Sequence, residues 1–495
     1  MFIKILFPGA VMAHTGDVLR RLLSRPGRRA EAVARPAESD FAGFDLLLKL
    51  EALVFRRELS PSLLSRETAA SAPLTGRRVW IDLRQSPDPE DARGTDLALR
   101  IDCNGEPGIA GLVSAILAGA PARLSVLSRE DGDTRIWAQG LTVPSRPLNL
   151  AASLDELTLR LGDLIEKALW RIERGEAPEA PAGAPPTAGG RIGLVSCGLF
   201  AASVLRSRIA NRLTAIAHRT CHWRVRWRHA AETDLVSHRL SWPEADYRIL
   251  PDDGRRYYAD PFLFRRGDRT FLFVEEYPYE LGRGILSVAE ITSDGAVSTP
   301  RPILQTAGHL SYPQVFEHGG QIWMIPETLS SRRIELYRAV EFPDRWEHAC
   351  VLVDDVDASD ATLAFHDGRF WLFATLSPHG SSSRDMLGIF HASTLQGPWE
   401  AHAANPVLVD ARTARPAGAM FHRDGHLMRV TQDGVGGYGS AMTICRVDRL
   451  DLEGFAQTQV AALKAPASWK SCGVHTLNAG YGFEVIDTLD KGRKS

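Results

Sequence analysis

Five stretches in the second half of the chain share one pattern. ADPFLFRRGDRTFLFVEE begins at Ala259, SYPQVFEHGGQIWMIPET at Ser311, SDATLAFHDGRFWLFATL at Ser359, RPAGAMFHRDGHLMRVTQD at Arg415, and a weaker GVHTLNAGYGFEVIDTLD at Gly473. Each joins a short strand to an aromatic or apolar one through a turn holding glycine. The Asp367–Gly368 and Asp424–Gly425 turns are hairpin signals. A period of about 50 to 58 residues with two or more strands per copy is the mark of a β-propeller, in which each copy is one blade of a sheet ring around a central channel. Five copies predict five blades. The stretch HWRVRWRH, His222–His229, alternates Trp223, Val225 and Trp227 with polar residues. That period of two predicts a strand, which would complete the last blade.

Equivalent positions of successive blades face one axial funnel. Asp260, Tyr312, Asp360, Ala417 and His475 are such equivalents, and Glu275 and Glu327 form a second matched pair with Gln432 as counterpart. Acids that converge in a buried place are costly unless they are paired, protonated or used in chemistry. The competing reading is that Asp260 and Asp360 cap local turns, a common use of aspartate. Trp323 and Trp371 align with Phe271 and read as core between blades. Tyr257, Tyr258 and Tyr438 are candidates for stacking on a ligand ring. His309, Tyr312 and Arg415 are candidates to shape the pocket.

The chain has 495 residues, too many for one core. Residues 1–175 alternate strand and helix patterns and predict an α/β, Rossmann-like domain. Its strands are Phe2–Phe7, Arg78–Leu83, Leu97–Asp102 and Arg123–Leu127. Its helices are Asp17–Leu23, Phe44–Phe55, Ile109–Leu117 and Leu154–Ile172, the last with Ser153 as N-cap and Glu156 closing a capping box. FPGAVMAHTGD lacks the GxGxxG spacing of a dinucleotide site, so no cofactor is expected. Residues 176–190, rich in Pro, Ala and Gly, form a linker. Residues 191–221 read as a helical connector and 222–495 as the propeller. Apolar 193–204 is followed too soon by Arg206 and Arg208 for a membrane span of about 20 residues, which leaves an interfacial helix as the other reading. The opening MFIKILF reads as a buried strand rather than a signal peptide. A net charge of −2 supplies no field toward nucleic acid. Six cysteines without a CxxC pair argue against zinc or disulfides and suit a reducing, cytoplasmic setting. No spacing of metal ligands stands out; an axial Ca²⁺ is compatible with the architecture but not required by any residue.

The segments YYADPFLF, LFVEE, LSYPQVFEHGGQIWMIPET, IELYRA, DATLAFHDGRFWLFA, GPWEAHAANPV, RPAG, TQD and HTLN resemble the N-terminal module of plant glucosamine inositolphosphorylceramide transferases and bacterial relatives, over about residues 230–490. More distantly the propeller resembles five-bladed glycosidases of the arabinanase, xylosidase and invertase type. In bacterial relatives the N-terminal part looks like a formyltransferase domain. Here 1–175 is shortened and has no identifiable Asn-x-His…Asp set. The glycosidase resemblance implies Asp260 as base or nucleophile and Asp360 as the residue that orients the sugar. The general acid of those enzymes has no counterpart at Arg415–Gly418. Glu327 or Glu276 is the substitute from another blade, with His475 a further titrating group. Arg415 would neutralise a phosphate leaving group. Arg415, His475, Tyr312, Tyr258, Glu275, Gln432 and His309 are the expected substrate contacts. The expected partner is a glycan, sugar conjugate or activated sugar, turned over or only bound. A formyl- or acyl-transfer enzyme with its site in 1–175 is the third reading.

Overall fold

The structure is a computed structural model that describes residues 1–8, 13–24, 28–35, 44, 47–48, 78–84, 96–130, 133–179, 192–243, 247–378, 381–469 and 471–493. Two compact units divide near residue 211. Of the expected helix Phe44–Phe55, residues 44, 47 and 48 are described, all helical, and the rest lies outside the described residues, as does most of the linker, residues 180–190.

In the first unit, β1 (Phe2–Pro8), β2 (Arg29–Arg35), β3 (Arg78–Asp82), β4 (Leu97–Cys103), β5 (Glu106–Pro107), β6 (Ala122–Glu130) and β7 (Asp133–Thr142) form one sheet of order β2-β1-β3-β4-β6-β7, with β5 paired to β4. Pairings among the first four strands are parallel, and those of β4 with β6 and β6 with β7 are antiparallel. The unit is α/β, but this mixed sheet departs from the parallel winding of a Rossmann-like domain. Helices α1 (Ala13–Leu23), α2 (Ile109–Ala118) and α3 (Leu150–Glu173) accompany it. The start of α3 corrects the capping-box expectation. Asn149 is the N-cap, and its side chain accepts from the Ala152 N–H. Ser153 Oγ instead donates to the Arg146 carbonyl, and Glu156 accepts from the Ser145 N–H. Leu150, Ala151 and Ala152 are good helix formers, so the helix extends one turn back to the equally good cap at Asn149.

The connector is a helix, α4 (Leu194–Ala217), and at His218 the chain passes into a strand that begins within the expected connector, 191–221. From there the chain builds five sheets of four or five strands. Innermost strands are Arg256–Arg266, Ser311–His318, Ala358–His366, Phe421–Arg423 and Gly473–Gly480. The fifth blade orders Gly473–Gly480, Phe483–Arg493, His218–His229 and Arg248–Ile249, so the tryptophan-rich strand closes the ring. Both faces of each blade are covered, which explains runs such as FLFV at 271–274. A separate apolar cluster fills each gap between neighbouring blades. Phe273 and Tyr312 meet in the first gap, Trp323 and Phe370 in the second, and Trp371 and Ala414 in the third. Met442 with Ile486, and Trp227 with Tyr258, fill the remaining two.

Candidate active site in the propeller funnel

The innermost strands carry a recurring distortion. Pairing with the second strand slips between Ala259 and Phe262, Ser311 and Gln314, Ser359 and Thr362, and Val474 and Leu477. The bulged residues begin with Asp260, Tyr312, Asp360 and His475, the equivalents expected from the repeat. Asp260, Tyr312 and Asp360 hold φ of 48°, 50° and 53°. Aspartate tolerates this left-handed region, whereas tyrosine rarely enters it. Bulges re-aim side chains, and residues held in such backbone concentrate at functional sites.

The bulges bring one group of polar side chains together. Asp260 Oδ1 accepts from Thr476 Oγ1 at 2.9 Å and lies 3.3 Å from His475 Nε2, while Oδ2 accepts from the Tyr312 N–H at 3.3 Å. The other ring nitrogen of His475 lies 2.7 Å from Asp487 Oδ1. Asp487 also accepts the backbone N–H groups of Asp260, His475 and Thr476. Across the funnel, Asp360 Oδ2 accepts from Arg415 Nε at 2.6 Å and from Gln432 Nε2 at 3.0 Å. The Asp360 N–H donates to Glu327 Oε2 at 2.9 Å. Trp223 stacks on His475 with ring centroids 4.0 Å apart, and Tyr438 lies edge-on to both rings. The Arg415 guanidinium sits 5.1 Å from the Tyr438 ring centre. Tyr438, 40% exposed, is the outermost of these groups. It rides on the glycine-rich stretch GVGGYGS, where Gly439 is held at φ 68° and a Cβ would meet Trp223 at 2.4 Å.

Glu275 differs from the other acids. It is buried, and its Oε1 has no hydrogen-bond partner. His309 Nδ1 accepts from the Gly284 N–H, which leaves the proton of the neutral ring on Nε2, 3.4 Å from that oxygen. Burial pushes the Glu275 carboxyl well above its ordinary range, and Asp260, Glu327, Asp487 and Asp360 push the same way. Burial also lifts Asp260 to about 6, opposed by His475 and reinforced by Asp487. Burial lifts Asp360 while Arg415 pulls it down. For His475 burial opposes the charged ring, but Asp487 and Asp260 outweigh it and the pKa rises. Five carboxyl groups thus face two cationic side chains, Arg415 and His475. Glu275, raised by burial and by four neighbouring acids and with only the His309 ring near its Oε1, is the carboxyl of the cluster that most favours its protonated form.

Several expected contacts move. Glu276 points to the opposite face of its strand from Glu275, as neighbours in a strand must. There it accepts from Arg256 at 2.5 Å and Ser287 at 2.6 Å, away from the funnel. Tyr258 packs into the cluster between the fifth and first blades and is 4% exposed, so it stacks on core rather than on a ligand. The Tyr312 ring is core as well. Its hydroxyl lies 2.9 Å from Thr362 Oγ1 and accepts from the Gly418 N–H, tying three blades together. Ala259 pairs with Glu275, Ser311 with Glu327 and Pro416 with Thr431, so Thr431, not Gln432, is the backbone counterpart of the two glutamates. Gln432 reaches Asp360 from the next position. Asp487 and Thr476 were not singled out from the sequence; Asp487 sits one residue before the position aligned with Glu275, where the repeat offers no acidic counterpart.

Asp260, His475 and Asp487 are close enough to suggest a cation site. Their bonding argues otherwise. The His475 ring already occupies the gap between the two carboxylates, and Asp487 spends its oxygens on three backbone amides.

Residues 252–481 match the family model described as glucosamine inositolphosphorylceramide transferase 1, N-terminal. A rice (Oryza sativa subsp. japonica) protein of that name is 33% identical over 254 residues, covering 48% of this chain and 34% of the rice protein. The Arabidopsis thaliana protein of the same name is 34% identical over 230 residues, 44% of this chain and 30% of its own length. The chain thus spans about a third of the curated relatives it matches. Among solved structures, a family 117 glycoside hydrolase from Zobellia galactanivorans aligns with a TM-score of 0.36 and 9% identity over 55% of this chain and 91% of its own. A Bacillus subtilis arabinanase aligns at 0.33 and 12%, covering 47% and 93%. Over its propeller, the chain resembles the N-terminal module of the glucosamine inositolphosphorylceramide transferases.

Proposed function

We propose that the propeller is a carbohydrate-active enzyme that transfers or hydrolyses a glycosyl group of a sugar conjugate in its funnel. The observation that carries this reading is Glu275: a buried carboxyl with a raised pKa, its Oε1 facing only the His309 ring, among four further acids. Such a group keeps its proton at neutral pH and delivers it to a leaving oxygen. Glu275 therefore takes the acid's role in place of Glu327 or Glu276. Asp260, held by Thr476 and His475, acts as base or nucleophile and stabilises an oxocarbenium-like state. The Arg415–Asp360–Gln432 group fixes the sugar, and Arg415 neutralises a phosphate if the donor carries one. Tyr438 supplies an aromatic face at the mouth, and buried Trp223 backs the His475 ring. The name of the related plant proteins suggests a glycolipid as the conjugate.

The test is turnover of glycolipid and nucleotide-sugar panels by the wild type, Glu275→Gln and Asp260→Asn. Loss of about 10²- to 10⁴-fold in kcat with binding held within a few-fold supports the proposal. One observation favours a second reading, a glycan-binding module without chemistry: the fourth blade offers buried Ala417 where the first and third offer acids. Under that reading no substrate is turned over and Asp260→Asn weakens sugar affinity alone.

A further inference from the structure

α4 is turned inside out. Among its described side chains, those it buries are Cys197 and Phe200. Its solvent side carries Leu194, 75% exposed, Val195 at 78%, Leu199 at 68%, Leu205 at 61% and Ile209 at 53%. Leu194, Gly198, Ala202, Leu205 and Ile209 recur at steps of three or four residues, the spacing of one helical face, and all are exposed. An apolar stripe at this period normally faces a core. Here it faces water, and scattered single exposure does not account for five large residues on one face.

The charges around the stripe indicate what covers it. Between Glu179 and Glu232 the sequence holds no acidic residue, while Arg191, Arg206, Arg208, Arg212 and Arg219 lie in or beside the helix. Arg206 and Arg212 are exposed and project from the same side of the helix as the apolar residues. Among the described residues no helix is long and apolar enough to cross a membrane. An apolar helix side that also carries arginines, without carboxylates, fits a surface that is apolar beneath and anionic above, because long arginine side chains keep their heads at the headgroup level.

We propose that α4 is an interfacial helix that lies in the headgroup region of an anionic bilayer. The inference does not depend on the reaction assigned to the funnel. The experiment is co-sedimentation of the full chain with phosphatidylcholine vesicles, with and without one third phosphatidylglycerol, at low and high salt. The wild type binds the anionic vesicles, and salt weakens that binding. Val195→Glu with Leu205→Glu reduces it at least ~10-fold, and Arg206→Gln with Arg212→Gln reduces it roughly 10-fold on anionic vesicles only. All four side chains are exposed, so an unchanged melting temperature confirms that the variants fold. Absence of vesicle binding by the wild type, or binding indifferent to these substitutions, overturns the proposal. So does a dimer in sedimentation velocity that Val195→Glu with Leu205→Glu converts to monomer, which would give the stripe to a second copy of the chain.

Discussion

Glu275, Asp260 and His475 all bind their protons more tightly in the folded protein than in the unfolded chain. Groups with raised pKa contribute stability that is complete below their ordinary values and is lost as pH rises through the folded ones. For Asp260 that window runs from the ordinary 3.8 to about 6, and for His475 it begins at 6.5. Stability measured by urea unfolding is therefore expected to fall as pH rises from about 4 through the neutral range. Glu275→Gln removes the strongest of these couplings. The variant should show a shallower slope and be more stable than wild type by about 1–2 kcal/mol at about pH 8. Equal slopes would mean that Glu275 is ionised and paired in the native state. Arg415 gives the opposite sign. Arg415→Leu leaves Asp360 buried beside Glu327 without its cation and is expected to cost about 3–5 kcal/mol. Adding Asp360→Asn should restore part of that loss, which a double-mutant cycle reads directly.

The strands themselves were largely legible in the sequence, because alternation, Asp-Gly turns and the repeat all point to the same elements. The equivalence of Asp260, Tyr312, Asp360 and His475 was legible too, from the aligned register, but the bulges that hold them were not. Side-chain direction was harder to read. A one-residue step reverses the face of a strand, and this separates Glu275 from Glu276 and Gln432 from Thr431. Tyr312 looked like a pocket residue because it aligns with two aspartates, yet its ring enters the core and only its hydroxyl remains polar. Tyr312→Phe strands the Gly418 N–H and is expected to cost about 1–3 kcal/mol in chemical denaturation, with little effect on sugar affinity. The α3 cap was missed because Asn149 and Ser153 are comparable caps, and helix propensity decided between them.

The ring links distant parts of the chain into one cooperative body. In the closing blade, Arg228 pairs with Glu484 at 2.9 Å, and Glu484 also accepts from the Val236 N–H and from Tyr247 at 2.5 Å, all buried. Arg228→Met leaves that carboxylate without its cation and should cost about 3–5 kcal/mol. The loss should appear in the same thermal transition that Tyr312→Phe lowers, although the two residues lie in different blades. Separate transitions would show that blades melt one at a time. The closing strand also has a consequence for synthesis. Its Trp223, Val225 and Trp227 are made long before the strand Phe483–Arg493 that pairs with them; Arg228 and Glu484 are 256 residues apart. At about 5–20 residues per second, the aromatic edge waits about 13–50 s for its partner. Until Phe483–Arg493 has been made, the tryptophan strand lacks its neighbour in the blade, and a chaperone or another nascent chain can reach it first.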